Sequence, residues 1–256
     1  MRHVYESKKP SAASLAAVRE AAASIQPDDE GLAEWYQNYI KYHDVRLAHD
    51  MDIVLEHSGD GAAILDVGCV PPVLLRALGS TRRLSLSGID LAPERFASAI
   101  EDSGVKVFQV NVETDPLTIE PASQDVIVFN EIFEHLRINP ITTLTRVREC
   151  LRPGGKLLLS TPNLYSAAGI ANLLRRGKAH ACAAEPFDEY SKLEKLGHMG
   201  HTREYTRQEV VLFLEKVGFH VEAIIHRGRS ESRFARRMEK LNKKLRPFMT
   251  VIASPA

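Results

Sequence analysis

The sequence predicts an α/β fold, a mostly parallel sheet whose strands are joined by helical crossovers. Three observations carry that prediction. Short apolar runs recur from Ile64 onward, separated by segments with helical periodicity. The turn Gly68-Cys69-Val70-Pro71-Pro72 divides the first run (Ile64, Leu65, Val67) from a helical pattern at Val73, Leu74, Leu75 and Leu78. The lengths between later runs suit right-handed crossovers between parallel strands.

Ser11 to Gln26 is alanine-rich, with helical spacing at Leu15, Val18, Ala22 and Ile25, and stops at Pro27. Residues 30–57 read as one or two further helices, with Trp35, Tyr39, Tyr42 and Arg46 along one side. Residues 1–58 are therefore expected to form an N-terminal helical lid, with Tyr36, Tyr39 or His43 touching a ligand. The alternative is that these aromatics pack the helix against the sheet. Strands are predicted at Ile64–Val67, Leu84–Ile89, Val105–Val110, Val126–Asn130, Lys156–Ser160, His220–His226 and Met249–Ser254. Helices are predicted near 93–101 and 140–151, and Leu151-Arg152-Pro153-Gly154-Gly155 reads as a turn.

Within the main domain, 59–256, residues 164–200 are too long for a simple connection and are expected to cap the substrate. They hold a helix near Ile170–Leu174 and a mixed aromatic and charged stretch at Glu185–Leu193. Thr206 to Val217 is a predicted helix, opened by a Thr206/Glu209 capping box and stopped at Gly218. A basic helix is expected at 229–246. Arg227 to Arg246 holds nine Arg or Lys against Glu231 and Glu239, with Phe234, Met238, Leu241 and Leu245 on one face. Such a helix suits peripheral contact with anionic lipid or a phosphate-rich partner, or packs on the domain with a solvated basic side.

Charge balances at 33 basic and 33 acidic residues, which argues against a dedicated duplex-binding surface. Cys69, Cys150 and Cys182 have no metal-ligand spacing, so a reduced, cytoplasmic setting is expected. No apolar run approaches membrane-spanning length, and the start lacks the apolar core of a signal peptide.

A strand, a tight turn and a helix place a helix N-terminus before a ligand. Asp90 closes the next apolar run about where such folds put a ribose-binding carboxylate. Leu65-Asp66-Val67-Gly68-Cys69 resembles the first motif of the class I S-adenosylmethionine (SAM) methyltransferases, and Leu151 to Gly155 with Leu157-Leu158-Leu159 resembles the same family. The resemblance implies a Rossmann-like, doubly wound, seven-stranded, mostly parallel sheet with an antiparallel last strand. It also implies SAM as cofactor, bound by Asp66, Gly68, Cys69, Asp90, Leu91, Asn111, Val112 and Asn130. In that family Asp90 would accept the ribose hydroxyls, and Asn111 stands where an Asp often contacts the adenine amino group. Asp66 would orient the turn or the methionine amino group. Turn capping is the other reading of Asp66 and Asn111. The chain departs from the family's Gly-x-Gly at Val70, and Pro71 and Pro72 carry no N–H to donate. That departure sustains a third reading, a methyltransferase-like binding module without catalysis. A dehydrogenase pattern fails at its second and third glycines.

Glu131-Ile132-Phe133-Glu134-His135-Leu136 would put Glu131, Glu134 and His135 on one side of a helical turn. Gly197 to Arg207 adds His198 and His201. This pairing resembles the RNA 3′-terminal 2′-O-methyltransferases, and quinone-pathway O-methyltransferases have a similar Glu-x-x-Glu-His stretch. The resemblance implies a divalent ion, Mg²⁺ or Mn²⁺, on Glu131, Glu134, His135 and His201. Glu131, His135 and His201 are the catalytic candidates, with a histidine as general base if no metal binds. The alternative is a helix cap and a satisfied loop. The expected reaction is O-methylation of a hydroxylated small molecule or glycan. An RNA 3′-terminal ribose is the alternative acceptor, which the neutral charge disfavours.

Overall fold

The structure, a computed structural model, describes residues 2–5, 9–196 and 200–256. In chain order these form β1 (Arg2–Tyr5), α1 (Ala12–Ala23), α2 (Ala33–Glu56), β2 (Ala63–Val67), α3 (Val73–Thr81), β3 (Ser85–Asp90), α4 (Ala97–Ser103), β4 (Lys106–Gln109) and β5 (Gln124–Asn130). There follow α5 (Pro140–Cys150), β6 (Leu151–Pro162), α6 (Ala167–Arg176), α7 (Pro186–Leu196), α8 (Arg207–Lys216), β7 (Phe219–Arg227), α9 (Arg233–Leu241) and β8 (Phe248–Pro255). The strands hydrogen-bond in the order β1-β7-β8-β6-β5-β2-β3-β4. β8 runs antiparallel to β6 and β7, whereas β1 with β7, β2 with β3 and β5, and β3 with β4 are parallel.

The expected Rossmann-like sheet with its antiparallel last strand is present, and it has eight strands where seven were predicted. The additional one is β1, at the start of residues 1–58, which were expected to be helical. Four residues are too few for an alternation to register, and pairing with β7 is what makes them a strand. The turn predicted at Leu151–Gly155 lies inside β6. Gly154 takes a left-handed φ of 81° there, so the chain bends without leaving the strand.

By its internal contacts the chain divides into two compact units. One comprises Lys8–Val128 with Cys150–Lys156. Its centre is β2, whose Ile64, Leu65 and Val67 are buried because β3 and β5 flank it on both sides. α3 turns Val73, Leu74, Leu75, Ala77 and Leu78 inward, and burying a side chain of Val or Leu size stabilises by about 1.5–3 kcal/mol. α1 and α2 pack on α3 and on each other. Two polar ties fix them. Asp52 accepts from Ser11 N–H, Ser11 Oγ and Ser14 Oγ at 2.6–2.7 Å. Arg82 donates to the carbonyls of Leu55 and Ser58 at the C-terminal end of α2, where a cation opposes the helix dipole.

The other unit comprises Met1–Ser7, Phe129–Glu149 and Leu157–Ala256. Leu157, Leu158, Leu159, Ile224 and Val251 are fully buried along β6, β7 and β8. α8 opens on the predicted capping box: Thr206 Oγ1 accepts from Glu209 N–H, and the Glu209 carboxylate accepts from Thr206 N–H. It stops before Gly218, whose φ is 91° and where an added Cβ would collide with the Arg148 guanidinium. α6 is longer than expected because Ser166 caps its start and Gly177 ends it. α7 covers the predicted capping stretch at Glu185–Leu193.

Candidate active site

In the unit built on β2, the turn 68–72 uses up its own amides. Gly68 N–H donates to the Ile89 carbonyl at 2.8 Å, and Cys69 N–H reaches the same oxygen at 3.4 Å. Val70 N–H donates to Asp90 Oδ2 at 3.0 Å, and the two prolines have none to give. The Cys69 thiol is buried over Gly88, where an added Cβ would sit 2.5 Å from its sulfur. Burial, then the charges of Asp66 and Asp90, hold that thiol protonated. Cys69 can therefore meet a ligand only through its backbone.

Asp90 ends β3 with each carboxylate oxygen accepting one backbone amide, Val70 at Oδ2 and Ala92 at Oδ1, both at 3.0 Å. Burial raises its pKa against those hydrogen bonds. Each oxygen keeps a further lone pair. Asp66 is buried near the end of β2, and burial, followed by the charge of Asp50, pushes it up to about 8. Its carboxyl is thus protonated at pH 7. Asn111 Oδ1 accepts from Glu113 N–H at 3.0 Å, the turn-capping geometry. Leu91 is exposed and Val112 partly buried.

Along α2, Tyr36 is buried, donates to the Ala22 carbonyl at 2.8 Å and packs its ring against Phe96. It serves packing. Tyr39 lies between Trp35 and His43, with ring centroids 5.3 and 4.6 Å away, and its hydroxyl accepts from Arg46. Arg46 in turn lies 3.7 Å from the fully buried Asp50.

In the other unit, β5 ends at Asn130, whose side-chain Oδ1 and Nδ2 are buried with no hydrogen-bond partner among the described residues. Glu131 then takes a left-handed φ of 56°, sparsely populated by residues with a Cβ and found mostly where surrounding structure enforces it. The expected helical turn does not begin there. A short 3₁₀ turn at Phe133–His135 follows instead. The bent backbone directs the Glu131 carboxylate to Ser160 Oγ, which donates to it at 2.8 Å, and leaves it 3.9 Å from the Arg227 guanidinium. The group whose ligand atoms lie within 4.8 Å of one another is Glu134, His135 and His201. Glu131, expected in the same set, stands outside that group. His198 lies outside the described residues.

Hydrogen bonds fix which atoms of this group are free. Glu134 Oε2 accepts from Thr161 Oγ1 at 2.9 Å, while Oε1 is buried with no partner among the described residues. Burial, then the charge of Glu131, raises Glu134 well above the carboxylate range. His135 Nδ1 is 2.9 Å from the Gly200 carbonyl; a carbonyl only accepts, so Nδ1 carries the proton and Nε2 the lone pair. Burial, then the neighbouring His201, lowers His135 to about 4, so it is neutral at physiological pH. His201 Nδ1 lies 3.2 Å from Glu204 Oε1. Burial alone would raise Glu204, but hydrogen bonds from His201 and three backbone amides keep it below its usual value. A carboxylate only accepts, so His201 Nδ1 is the donor to Glu204. The two rings meet edge to face with centroids 4.9 Å apart.

The supports of this group were missed in the sequence. Glu204 accepts from the N–H groups of Ala181, Cys182 and Ala183, and Glu189 accepts from the N–H groups of His201 and Ala184. Thr202 and Arg203 N–H donate to the Glu134 carbonyl, and Phe133 packs on Tyr205 at 4.3 Å. The three-residue spacing from His201 to Glu204 was the available signal.

The profile of the family described as a methyltransferase domain matches residues 39–224. The ubiquinone biosynthesis O-methyltransferase of Xanthomonas euvesicatoria pv. vesicatoria is 35% identical over 133 residues, 47% of this chain and 55% of that protein. Its namesake in Xanthomonas campestris pv. campestris is 31% identical over 163 residues, 59% of this chain and 65% of that protein. The match thus spans roughly half to two-thirds of these curated relatives' length. Among solved structures, a SAM-dependent methyltransferase from Mesorhizobium loti gives a TM-score of 0.57 at 18% identity, covering 80% of this chain and 96% of that one. A chain of the complex between the Haloferax volcanii Trm112 methyltransferase activator and its methyltransferase gives 0.58 at 18% identity, covering 91% and 99%. At such identities the likeness concerns the fold. Strand order, the β2–turn–α3 unit and the family match together define a SAM-dependent methyltransferase of class I. To that family the chain belongs.

Proposed function

We propose that the enzyme moves the methyl group of SAM to a hydroxyl oxygen of a small hydroxylated molecule or glycan, with a divalent cation on Glu134, His135 and His201. The observation that carries this reading is the leftover set of lone pairs: one unpartnered buried carboxylate oxygen and two imidazole Nε2 atoms. Those donors fit a cation, since a buried polar atom without a partner is costly and a ligating imidazole must be neutral. A carboxylate with two imidazoles accepts Mg²⁺ and leans towards Mn²⁺. When bound, such a cation lowers the pKa of an acceptor hydroxyl. Glu204 and Glu189 hold the His201 segment in place, and Glu131 adds negative charge felt by Glu134 and His135. The acceptor hydroxyl loses its proton to water, its oxygen attacks the sulfonium methyl carbon, the C–O bond forms as the C–S bond breaks, and S-adenosylhomocysteine leaves. In a metal-free variant of this reading the hydroxyl proton goes to His201 Nε2, where Glu204 stabilises the resulting charge.

For the cofactor, Asp90 takes the ribose hydroxyls through the lone pairs its backbone bonds leave. Leu91 and Val112 flank the adenine, and Asn111 accepts from its amino group. Asp66 and the backbone of Gly68 and Cys69 serve the methionine end. The names of the curated relatives support an oxygen acceptor. The test is methyl transfer from labelled SAM to catechols, polyols and RNA ends, with and without Mn²⁺. We expect Mn²⁺-dependent labelling of a small hydroxylated acceptor. Labelling confined to RNA ends would move the assignment to the terminal ribose. Calorimetry registering no heat from SAM or S-adenosylhomocysteine would leave a non-catalytic module.

A further inference from the structure

We propose that α6 and α9 together form a docking surface for a membrane containing anionic phospholipid. The two helices pack on each other through Ala167, Ile170, Ala235, Met238 and the nearby Leu245. α9 buries only Ala235 and Glu239, the latter accepting from Ser230 N–H. Its remaining surface places Phe234 and Leu241, 53% and 82% exposed, beside a cationic sector of Arg233, Arg236, Arg237 and Lys240. With Arg229 those four cations line a cleft of about 320 Å³ that has no acidic side chain in its lining. At the end of α6, Leu173 and Leu174 are 54% and 80% exposed, and Arg175 and Arg176 follow directly. Arg175 lies over the Phe234 ring at 5.5 Å, which joins the two helices into one patch.

The pattern selects its partner by chemistry. Five cations around one cleft repel each other until an anion enters, and the chain as a whole is neutral, so this concentration is local. A phosphodiester satisfies the cations in either a lipid or a nucleic acid. The exposed Leu173, Leu174 and Leu241 decide between them, because aliphatic side chains gain nothing from RNA but leave water when set among acyl chains. Within α6 and α9 themselves, the tyrosine or phenylalanine platforms that stack bases in single-stranded nucleic-acid sites are represented by Phe234 alone. No helix among the described residues is long and apolar enough to cross a membrane, so the contact is peripheral.

The experiment is co-sedimentation of the full chain with phosphatidylcholine vesicles with or without phosphatidylglycerol, at low and high salt. Partitioning should be at least about tenfold stronger on the anionic vesicles and fall with salt. R233E/R237E should lose that preference, and F234S/L241S should weaken binding by about tenfold. All four residues are exposed, so both variants should melt at the wild-type temperature. Full vesicle binding by F234S/L241S, or displacement of the vesicles by millimolar phosphate, would overturn insertion and leave a phosphate site. A short RNA that competes the vesicles away at lower concentration than phosphatidylglycerol would overturn the membrane assignment. Equal partitioning to neutral and anionic vesicles would overturn it as well.

Discussion

The turn after β2 and the segment after β5 treat their polar atoms in opposite ways. In the first, the amides of Gly68, Cys69 and Val70 all end on Ile89 or Asp90, and two prolines follow. In the second, Glu134 Oε1 and the Asn130 amide are buried without partners among the described residues, and His135 keeps a free Nε2 lone pair. A saturated turn is stable before any ligand arrives. Unpaired buried groups cost about 1–3 kcal/mol each until something binds them. The difference teaches how the two regions can serve the proposed reaction: the turn after β2 is a finished frame, and the segment after β5 holds the open valences the proposal uses.

The largest expected effect tests those open valences. Glu134→Gln keeps the shape and an oxygen for Thr161 but removes the negative charge. Turnover should fall about 100-fold or more, with SAM affinity on calorimetry within about twofold of wild type. The metal-free variant should also melt higher, because a carboxyl held far from its usual pKa by burial is gone. Unchanged turnover in excess chelator would remove the cation from the comparison. Glu204→Gln should act through His201, lowering Mn²⁺ affinity or activity about 10–100-fold while secondary structure by circular dichroism stays intact.

The saturated side is probed at Asp90. Asp90→Ala should weaken SAM binding by roughly tenfold or more, since charged hydrogen bonds to hydroxyls are worth about 1.5–3 kcal/mol. Asp90→Asn, able to keep the bond from Val70 N–H, should lose less. Equal affinities for wild type and Asp90→Ala would return Asp90 to turn capping.

A pH slope tests the frame from another side. Unfolded, Asp66 releases its proton near its ordinary value of 3.8; folded, it does so near 8. Between those values the native state holds one proton more, so its stabilising contribution is complete below pH 4 and falls as pH rises. The slope is at most about 1.4 kcal/mol per pH unit, and it levels off above pH 8. Asp66→Asn should flatten the melting-temperature profile across that window. A profile unchanged by the substitution would place the folded pKa of Asp66 near its ordinary value.

Much of the fold was legible because it is written in local pattern. The apolar runs at Ile64–Val67 and Val126–Asn130, and the capping box at Thr206, depend on neighbours a few residues away. β1 was not legible, since its partner lies more than two hundred residues downstream at Ala223–His226. In the candidate site, the residue types of Glu134, His135 and His201 could be read, but their convergence could not. It depends on backbone bonds from Thr202 and Arg203 to the Glu134 carbonyl. Glu131 shows the limit most clearly. A helical spacing rule placed it with Glu134, whereas one left-handed residue at the strand end turns its carboxylate to Ser160.

The short strand at Arg2–Tyr5 has a practical corollary. It satisfies the outer row of amides and carbonyls on β7, so β7 does not present a bare border to other chains. A shortened version lacking those first residues would uncover Ala223–His226, and self-association through that seam should rise. A tag fused ahead of Arg2 is best spaced from it by a flexible linker.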